Sequence, residues 1–245
     1  MSNYSLSVAQ YIKKHGFEAL RPKAVLFDMD GVLYDSMPWH VEAWHDSMAH
    51  YGITMTRDDA YETEGARGVD TIRMMVKRQQ QRDISEQEAQ QMYELKSKLF
   101  HEKGEAPLMP GIMELMQQMH ESGLQIGVVT GSGQRPLIAR LLKDFGEWLS
   151  EDHITTAYDV KRGKPNPDPY LMGLEKAGHL QPCEALVVEN APLGVRAGVA
   201  ARIFTIAVNT GPLPNQRLTA EGANLVFDRM TELSKEWSAL ACSLL

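Results

Sequence analysis

The chain has 245 residues, of which 43% are hydrophobic and 23% are charged. This composition excludes a disordered tail or a fibre and suits one large or two modest globular domains. The formal net charge is −7 and the basic residues do not gather into a run, which argues against nucleic acid or a membrane as a partner. The two cysteines, Cys183 and Cys242, lack metal-binding or redox spacing, so we expect free thiols and a cytoplasmic protein.

The first 22 residues contain no apolar stretch of the length of a signal peptide or a membrane span. Leu6, Val8, Tyr11 and Ile12 can form one face of a short helix. We therefore expect residues 1–22 to form a helical extension that packs on the domain, and we expect the chain to be a monomer.

Short apolar or β-branched runs predict the strands 24–27, 125–130, 154–157, 185–188, 203–208 and 224–227. Between the later runs lie stretches of helical period at 111–121, 134–143, 168–177 and 192–200. Strands that alternate with helices predict an α/β fold with a parallel sheet sandwiched by helices. Functional sites in such sheets lie beyond the carboxyl ends of the strands.

The segment between the first two strands breaks this alternation, because it predicts helices only. They are expected from Met37 onward and at 56–62, 69–80 and 85–101. Crossover connections are usually far shorter. We therefore predict a core domain of residues 23–36 and 110–245, and an inserted helical domain of residues 37–109 that can act as a lid over the strand ends.

Polar groups lie at the ends of four predicted strands. Each of the four motifs is common by chance and is a weak signal on its own. The motifs are "VLFDMDGVLYDS" with Asp28 and Asp30, "VVTGSG" with Thr130, Gly131 and Ser132, "RGKPNP" with Lys164, and "VVENAPLG" with Glu189 and Asn190. Their joint placement at successive strand ends is what indicates a site.

Together these groups suit phosphoryl transfer. Clustered carboxylates need a hard cation, and oxygen ligands with open positions favour Mg²⁺. Thr130 and the main-chain N–H groups of Gly131 and Ser132 can hold phosphate oxygens, and Lys164 supplies fixed positive charge. One aspartate could attack phosphorus while the other acts as general acid and then base.

Competing motifs fail on spacing. An EF-hand loop that began at Asp28 would need glutamate where Trp39 stands, and Pro136 occupies the last glycine position of a dinucleotide fingerprint. His40 and His45 lack the zincin spacing. A non-enzymatic phosphoacceptor receiver also uses acidic residues, a Thr and a Lys, but it needs neither a second aspartate nor a large helical insert.

The stretches "DMDGVLYDS", "VVTGSG", "GKPNPDPYL" and "VVENAPLGVRAG" resemble, in order and spacing, the four signature motifs of the haloacid dehalogenase superfamily of phosphohydrolases. The helical insert resembles the C1 cap of its β-phosphoglucomutase-like group. The resemblance spans about residues 23–227 and implies a Rossmann-like core, a mobile cap and Mg²⁺.

The resemblance also implies roles for individual residues. Asp28 is then the nucleophile, and Asp30 is the general acid/base whose main-chain carbonyl also binds the metal. Thr130, Ser132 and Lys164 bind the transferring phosphate, and Glu189 with Asn190 completes the metal site. The cap positions that match substrate contacts of the family are His40, the "EGARG" loop at 64–68, and Lys96.

The chain departs from the sugar-phosphate mutases of this group at two places. At the position of Asn190 in the fourth motif, those mutases carry Asp. The change to Asn removes one negative ligand from the cation. Glu64 stands where they carry a cap-loop Lys, and Arg67 sits too early to match their phosphate-gripping Arg. We link the changes: Glu64 would reach the metal that Asn190 leaves short, and the closed cavity would then favour a small, highly charged substrate.

The closest resemblance is therefore to the members of this group that are inorganic pyrophosphatases. For pyrophosphate, Lys96, Arg67 or His40 could balance the charge of the leaving phosphate. Hydrolysis of pyrophosphate or a small organic phosphate is the first hypothesis, and β-phosphoglucomutase activity is the second. A phosphate-sensing protein with an inactive site is the non-enzymatic alternative.

Overall fold

The computed structural model describes residues 3–132 and 135–244, without the side chain of Arg135. Positions 133 and 134, at the end of the "VVTGSG" motif and the start of the predicted helix 134–143, lie outside the described residues. The described chain forms one six-stranded sheet in which every pairing is parallel, with the strand order β3-β2-β1-β4-β5-β6. The strands are β1 (Ala24–Phe27), β2 (Gln125–Val129), β3 (Ile154–Thr155), β4 (Ala185–Glu189), β5 (Phe204–Val208) and β6 (Leu225–Phe227).

The strand β1 lies between β2 and β4, and its side chains alternate between two hydrophobic clusters. Val25 and Phe27 belong to one cluster, and Leu26 belongs to the other. Because both faces are covered, all four residues of β1 are buried, as expected for a central strand of a parallel sheet. Asp28 follows directly, at the edge where β2 and β4 also end.

Helices cover both faces of this sheet, which confirms the predicted α/β fold. In chain order the α-helices are α1 (Asn3–His15), α2 (Met37–His50), α3 (Arg57–Glu62), α4 (Gly68–Gln80), α5 (Glu86–His101), α6 (Ile112–Glu121), α7 (Arg135–Phe145), α8 (Asp168–Lys176), α9 (Pro192–Ala200), α10 (Asn215–Ala220) and α11 (Met230–Leu244). Short 3₁₀ turns occur at Glu151–His153 and Pro182–Glu184. No helix in the described ranges is both long and apolar enough to cross a membrane.

The structure differs from the predicted elements at β3 and after β5. The strand β3 has two residues where 154–157 was predicted, because the side chain of Asp159 binds the main-chain N–H and the hydroxyl of Thr156 and turns the chain. The sequence analysis did not predict α10 or α11. The helix α11 nevertheless has an apolar face that packs into the core: Met230, Leu233, Trp237, Leu240 and Leu244.

Residues 37–109 contain α2 to α5 and no strand. These helices have a hydrophobic cluster of their own, which includes Trp44, Met48, Ile72, Met75 and Met92. A segment with a separate core is able to move as a unit relative to the sheet. We call residues 37–109 the cap and keep the name core domain for residues 23–36 and 110–245.

The cap lies against the carboxyl ends of the strands. A Cβ atom added to Gly131 would lie 3.1 Å from the main-chain oxygen of Gly65, so the cap loop and the loop after β2 touch along their backbones. At the other edge of the cap, Glu62 forms an ion pair with Arg217 of α10. The cap is therefore closed over the strand ends.

Candidate active site

The nucleophile candidate Asp28 lies in a buried cluster with Lys164 and Glu189. The ammonium Nζ of Lys164 donates to Oδ1 of Asp28 at 2.5 Å, to Oε1 of Glu189 at 2.6 Å and to the main-chain oxygen of Val129 at 3.1 Å. These three contacts use all three donors of the ammonium group. Residues from β1, β4 and the loop before α8 are thus joined by one cation.

Burial and the opposite charge of the partner shift the pKa values of Asp28 and Lys164 in opposite directions. Burial raises the pKa of the Asp28 carboxyl to about 7, although Lys164 offsets part of the shift. Burial alone would lower the pKa of Lys164, but the carboxylates of Asp28 and Glu189 outweigh it and raise that pKa above its ordinary value. Lys164 therefore stays protonated over the whole range in which an enzyme works.

The second aspartate, Asp30, faces the cap through His40 and Lys96. The hydroxyl of Ser36 donates to Oδ1 of Asp30 at 2.6 Å. Nε2 of His40 lies 3.1 Å from the same oxygen, off the line of a good hydrogen bond. On the other side of the ring, Nζ of Lys96 lies 2.5 Å from Nδ1 of His40. A row of groups thus connects the acid/base candidate to the interior of the cap.

This row keeps Asp30 ionised. Burial would raise the pKa of Asp30, but His40, Ser36 and Lys96 outweigh it and lower the pKa to about 2. Burial lowers the pKa of His40 and also lowers that of Lys96, the latter to about 7. In this closed state Asp30 is therefore an ionised carboxylate.

Glu64 of the cap loop and Asn190 after β4 meet in the closed site. Nδ2 of Asn190 donates to Oε1 of Glu64 at 2.7 Å, and both side chains are buried. Burial raises the pKa of the Glu64 carboxyl well above its ordinary value, and the hydrogen bond from Asn190 offsets only part of that rise. Glu64 and Asn190, which the sequence analysis linked, are therefore in direct contact, although they are 126 positions apart in the chain.

Gly31 leaves the room that this contact occupies. Its φ is +75°, and an added Cβ atom would lie 2.1 Å from Nδ2 of Asn190 and 3.0 Å from Oε1 of Glu64. Any larger residue would clash with the amide and adopt a strained backbone. The turn after Asp30 is thus shaped to let Glu64 and Asn190 approach the two aspartates.

The donor set in this region fits a hard divalent cation. Oδ1 of Asn190 is buried and has no hydrogen-bond partner in the described chain. Nδ2 of the same amide contacts Glu64, whose pKa is raised by burial and in part by the charges of Asp28, Glu189 and Asp30. Among residues 3–132 and 135–244, no three His, Cys, Asp or Glu side chains form a ready-made metal cage. Carboxylate and amide oxygens are the kind of ligand that suits Mg²⁺.

The remaining phosphate-binding candidates lie around the loop after β2. Gly131 and Ser132 line the cavity. Oγ1 of Thr130 accepts a hydrogen bond from the N–H of Ser132 at 3.0 Å, so in this structure Thr130 shapes its own loop. Lys164 lies behind Asp28 and is not among the residues that line the cavity.

Arg67 does not reach this cavity. Its guanidinium donates to the carboxylate of Asp70 at 2.7 and 3.0 Å, and its side-chain carbons pack over Gly163. An (i, i+3) pair at the start of α4 holds it on the cap surface, so the structure assigns it no contact with the site.

The cavity between cap and core has a volume of about 70 Å³. Pockets for drug-sized ligands are larger, about 300–1,000 Å³. Its walls combine charged side chains, such as Asp28, Asp30 and Lys96, with apolar ones such as Trp44 and Phe100. A compact, charged ligand suits it.

Two groups that contact the site were missed in the sequence. The hydroxyl of Ser36 binds Asp30, and the hydroxyl of Tyr170 donates to Oε1 of Glu189 at 2.7 Å. Ser36 directly precedes a helix with Pro in its first turn, a position where Ser is common as a helix cap. Nothing in the sequence therefore suggested a second role for its hydroxyl. Tyr170 lies within the third motif, and its place on the inner face of α8 was the available signal.

The comparisons with known proteins agree with this geometry. Residues 22–202 match the sequence model of the haloacid dehalogenase-like hydrolases. Hexitol phosphatase A of Escherichia coli is 34% identical over 199 residues, which cover 81% of this chain and 88% of that protein. Beta-phosphoglucomutase of Bacillus subtilis is 26% identical over 219 residues, which cover 87% and 92%.

Among solved structures, a Bacteroides vulgatus protein provisionally assigned as a beta-phosphoglucomutase is 47% identical, with a TM-score of 0.94. The match covers 99% of this chain and 98% of that one. These relatives confirm the predicted resemblance to the capped, β-phosphoglucomutase-like group of the family, and they are named as a sugar phosphatase and phosphoglucomutases rather than as pyrophosphatases. The chain therefore belongs to the haloacid dehalogenase-like hydrolase family and is a phosphatase or phosphotransferase of that family.

Proposed function

We propose that this chain is a Mg²⁺-dependent phosphohydrolase that works through an aspartyl-phosphate at Asp28, and that its preferred substrate is inorganic pyrophosphate or an organic phosphate of similar size. The observation that carries the choice of substrate is the buried contact between Glu64 and Asn190. A cytoplasmic location and a monomeric state remain predictions.

The proposed reaction has two displacement steps. A carboxylate oxygen of Asp28 forms a bond to phosphorus, and the bond to the leaving oxygen breaks with its electron pair going to the leaving group. Water then attacks the same phosphorus, the bond to Asp28 breaks, and Asp30 accepts the proton of the water. Lys164 holds Asp28 in place and supplies positive charge to the phosphoryl group.

The cation would be held by Asp28, the main-chain carbonyl of Asp30, Asn190 and Glu64, with Glu189 close behind. Bound there, Mg²⁺ would neutralise the negative charge of the transferring phosphoryl group. An ionised glutamate that faced the substrate phosphates directly would repel them. We therefore expect Glu64 either to bind the cation or to be protonated and neutral.

The charge state of Asp30 supports the same substrate. With its pKa lowered to about 2, Asp30 is ionised in the closed site and is a poor proton donor. A sugar alkoxide needs a proton as it leaves, whereas a leaving phosphate is far more stable as an anion. Lys96 and His40 line the cavity and could balance the charge of that phosphate.

A sugar-phosphate substrate is the second candidate, and the relatives support it. Hexitol phosphatase A and beta-phosphoglucomutase are both similar to this chain over most of its length. A mutase must in addition keep water away from the aspartyl-phosphate and bind the sugar through the cap. Within the described residues the cavity of about 70 Å³ leaves little room for a sugar in the closed state.

The test is a phosphate-release assay with Mg²⁺ across pyrophosphate, hexitol phosphates, glycerol phosphate and hexose phosphates, with a coupled mutase assay on β-glucose 1-phosphate alongside. We expect kcat/KM for pyrophosphate to exceed that for every sugar phosphate by about tenfold or more, a difference of about 1.4 kcal/mol in transition-state binding. Asp28→Asn should abolish all turnover. A higher kcat/KM for a hexitol phosphate, or net mutase activity, would overturn the choice of pyrophosphate.

A further inference from the structure

Tyr170 connects α8 to the two charged residues behind the nucleophile. It is fully buried, its hydroxyl donates to Oε1 of Glu189 at 2.7 Å, and Nζ of Lys164 lies 5.0 Å from the centre of its ring. A buried tyrosine of this kind offers one hydrogen-bond donor and one cation–π face. In this structure the hydroxyl donates to Glu189 and the ring faces the ammonium group of Lys164.

The protein itself supplies every partner that the carboxylate of Glu189 can take. Oε1 accepts from Lys164 and Tyr170, and Oε2 accepts from the main-chain N–H groups of Asn190 at 3.0 Å and Ala191 at 3.2 Å. An ionised carboxylate has about four lone-pair sites. Glu189 therefore has no lone pair left for a cation.

The carboxylate of Glu189 is also enclosed. It has no exposed surface, and a Cβ atom added to Gly194 of α9 would lie 1.8 Å from Oε1 and 2.3 Å from Oε2. The start of α9 thus packs directly on both oxygens and leaves them no space to turn. In contrast, Oδ1 of the next residue, Asn190, is buried without a partner.

We propose that Glu189 does not hold the cation but positions Lys164 over Asp28, and that the hydroxyl of Tyr170 keeps Glu189 in that role. Asn190, with Glu64, then supplies the metal ligands at this end of the site. This inference rests on the proposed Mg²⁺-dependent phosphoryl transfer. It assigns Tyr170 as a positioning residue, because it acts on Lys164 through Glu189.

Mn²⁺ binding, followed by electron paramagnetic resonance and calorimetry, separates the two roles without any substrate. Glu189→Gln should bind Mn²⁺ within about fivefold of the unchanged chain, because only a nearby charge is lost. Asn190→Ala should bind it about tenfold or more weakly, because a ligand is lost. Equal losses in the two variants would overturn the inference and leave the proposed function standing. Absence of Mn²⁺ binding in the unchanged chain would overturn both.

Tyr170→Phe tests the role of the hydroxyl. We expect kcat for pyrophosphate to fall by about tenfold, in the range of lost outer partners in metal sites, while Mn²⁺ affinity stays within about twofold. Tyr11→Phe is the matched control, because Tyr11 is also buried and its hydroxyl donates to the main-chain oxygen of Arg202 at 2.7 Å, outside the site. Both variants should lose similar thermal stability, and only Tyr170→Phe should lose kcat.

Three results would contradict the role of Tyr170. An unchanged kcat in a folded Tyr170→Phe variant would make it a packing residue. A parallel loss of kcat and Mn²⁺ affinity would place its effect on the metal. A loss of kcat in Tyr11→Phe as large as that in Tyr170→Phe would show a general effect of lost stability.

Discussion

The core domain and the cap each bury one lysine at the active site, and the two have opposite surroundings. Lys164 of the core is 3% exposed and Lys96 of the cap is 4% exposed, so burial does not distinguish them. Two carboxylates bind Lys164, whereas Lys96 contacts a histidine nitrogen and lies about 5 Å from the rings of Trp44 and Phe100. The pKa of Lys164 is raised, and that of Lys96 is lowered to about 7.

The site thus contains one lysine that is always charged and one whose charge depends on its surroundings. Lys164 is a fixed cation that contacts Asp28, the proposed nucleophile. Lys96 is near the balance between its charged and neutral forms, so a bound phosphate can draw a proton onto it, because an adjacent anion favours the charged form. In the proposed reaction the core domain thus supports the chemistry at Asp28, and the cap adjusts to the charge of the substrate.

Lys164→Met should have the largest effect, because it leaves Asp28 and Glu189 as buried carboxylates without their cation. Removing one partner of a buried ion pair costs about 3–5 kcal/mol in the free energy of unfolding. We expect a loss of this size in urea denaturation at pH 7.5, together with loss of turnover.

Lys176→Met is the control for Lys164→Met, because Lys176 forms an ion pair with Asp159 that is about a quarter exposed. Its cost should be below about 1 kcal/mol. A cost for Lys164→Met that is no greater than this would contradict the account of the core lysine.

Lys96→Met should have a smaller effect that depends on pH. The folded pKa of Lys96 is about 7 and the unfolded value is 10.5, so between these values the unfolded chain binds more protons. The contribution of Lys96 to stability therefore rises with pH across this window, by at most about 1.4 kcal/mol per pH unit. The measurement is the free energy of unfolding from pH 7 to 10, as the difference between the unchanged chain and Lys96→Met.

The exposed Lys143 provides the control for this pH series. The difference between the unchanged chain and Lys143→Met should stay flat from pH 7 to 10. If the Lys96→Met difference is equally flat, Lys96 is charged throughout and the contrast between the two lysines is lost.

Arg217→Met should have the smallest effect, at the contact between cap and core. Arg217 and Glu62 are partly exposed, so their ion pair holds the cap closed only weakly. We expect KM to rise about two- to threefold, with less difference at high salt because salt screens exposed charges. Arg196→Met, which removes a pair with Glu221 within the core domain, should leave KM unchanged. Equal effects of the two variants would argue against a role in cap closure.

The structure brings the predicted core-domain groups together because those groups lie at the ends of strands. Asp28 and Thr130 come directly after buried strands and Glu189 is the last residue of one, and parallel strands bring those ends to one edge. The helices α10 and α11 were missed, although the apolar spacing from Met230 to Leu244 carries a helical period.

Contacts between cap and core were harder to predict. No local pattern relates Glu64 to Asn190, and only the paired departures from the family pattern suggested their contact. Arg67 shows the converse: Asp70, three positions later, could have indicated that the guanidinium has a partner on its own helix. Such contacts depend on tertiary geometry, which spacing along the chain does not encode.

The central claim is that the contact between Glu64 and Asn190 selects a small substrate. Its most direct test is the ratio of kcat/KM for pyrophosphate to kcat/KM for a hexitol phosphate, in the unchanged chain and in Glu64→Lys. We predict a ratio of about ten or more that falls below one in Glu64→Lys, mainly through lost pyrophosphate turnover. Unchanged pyrophosphate turnover in Glu64→Lys would contradict the account.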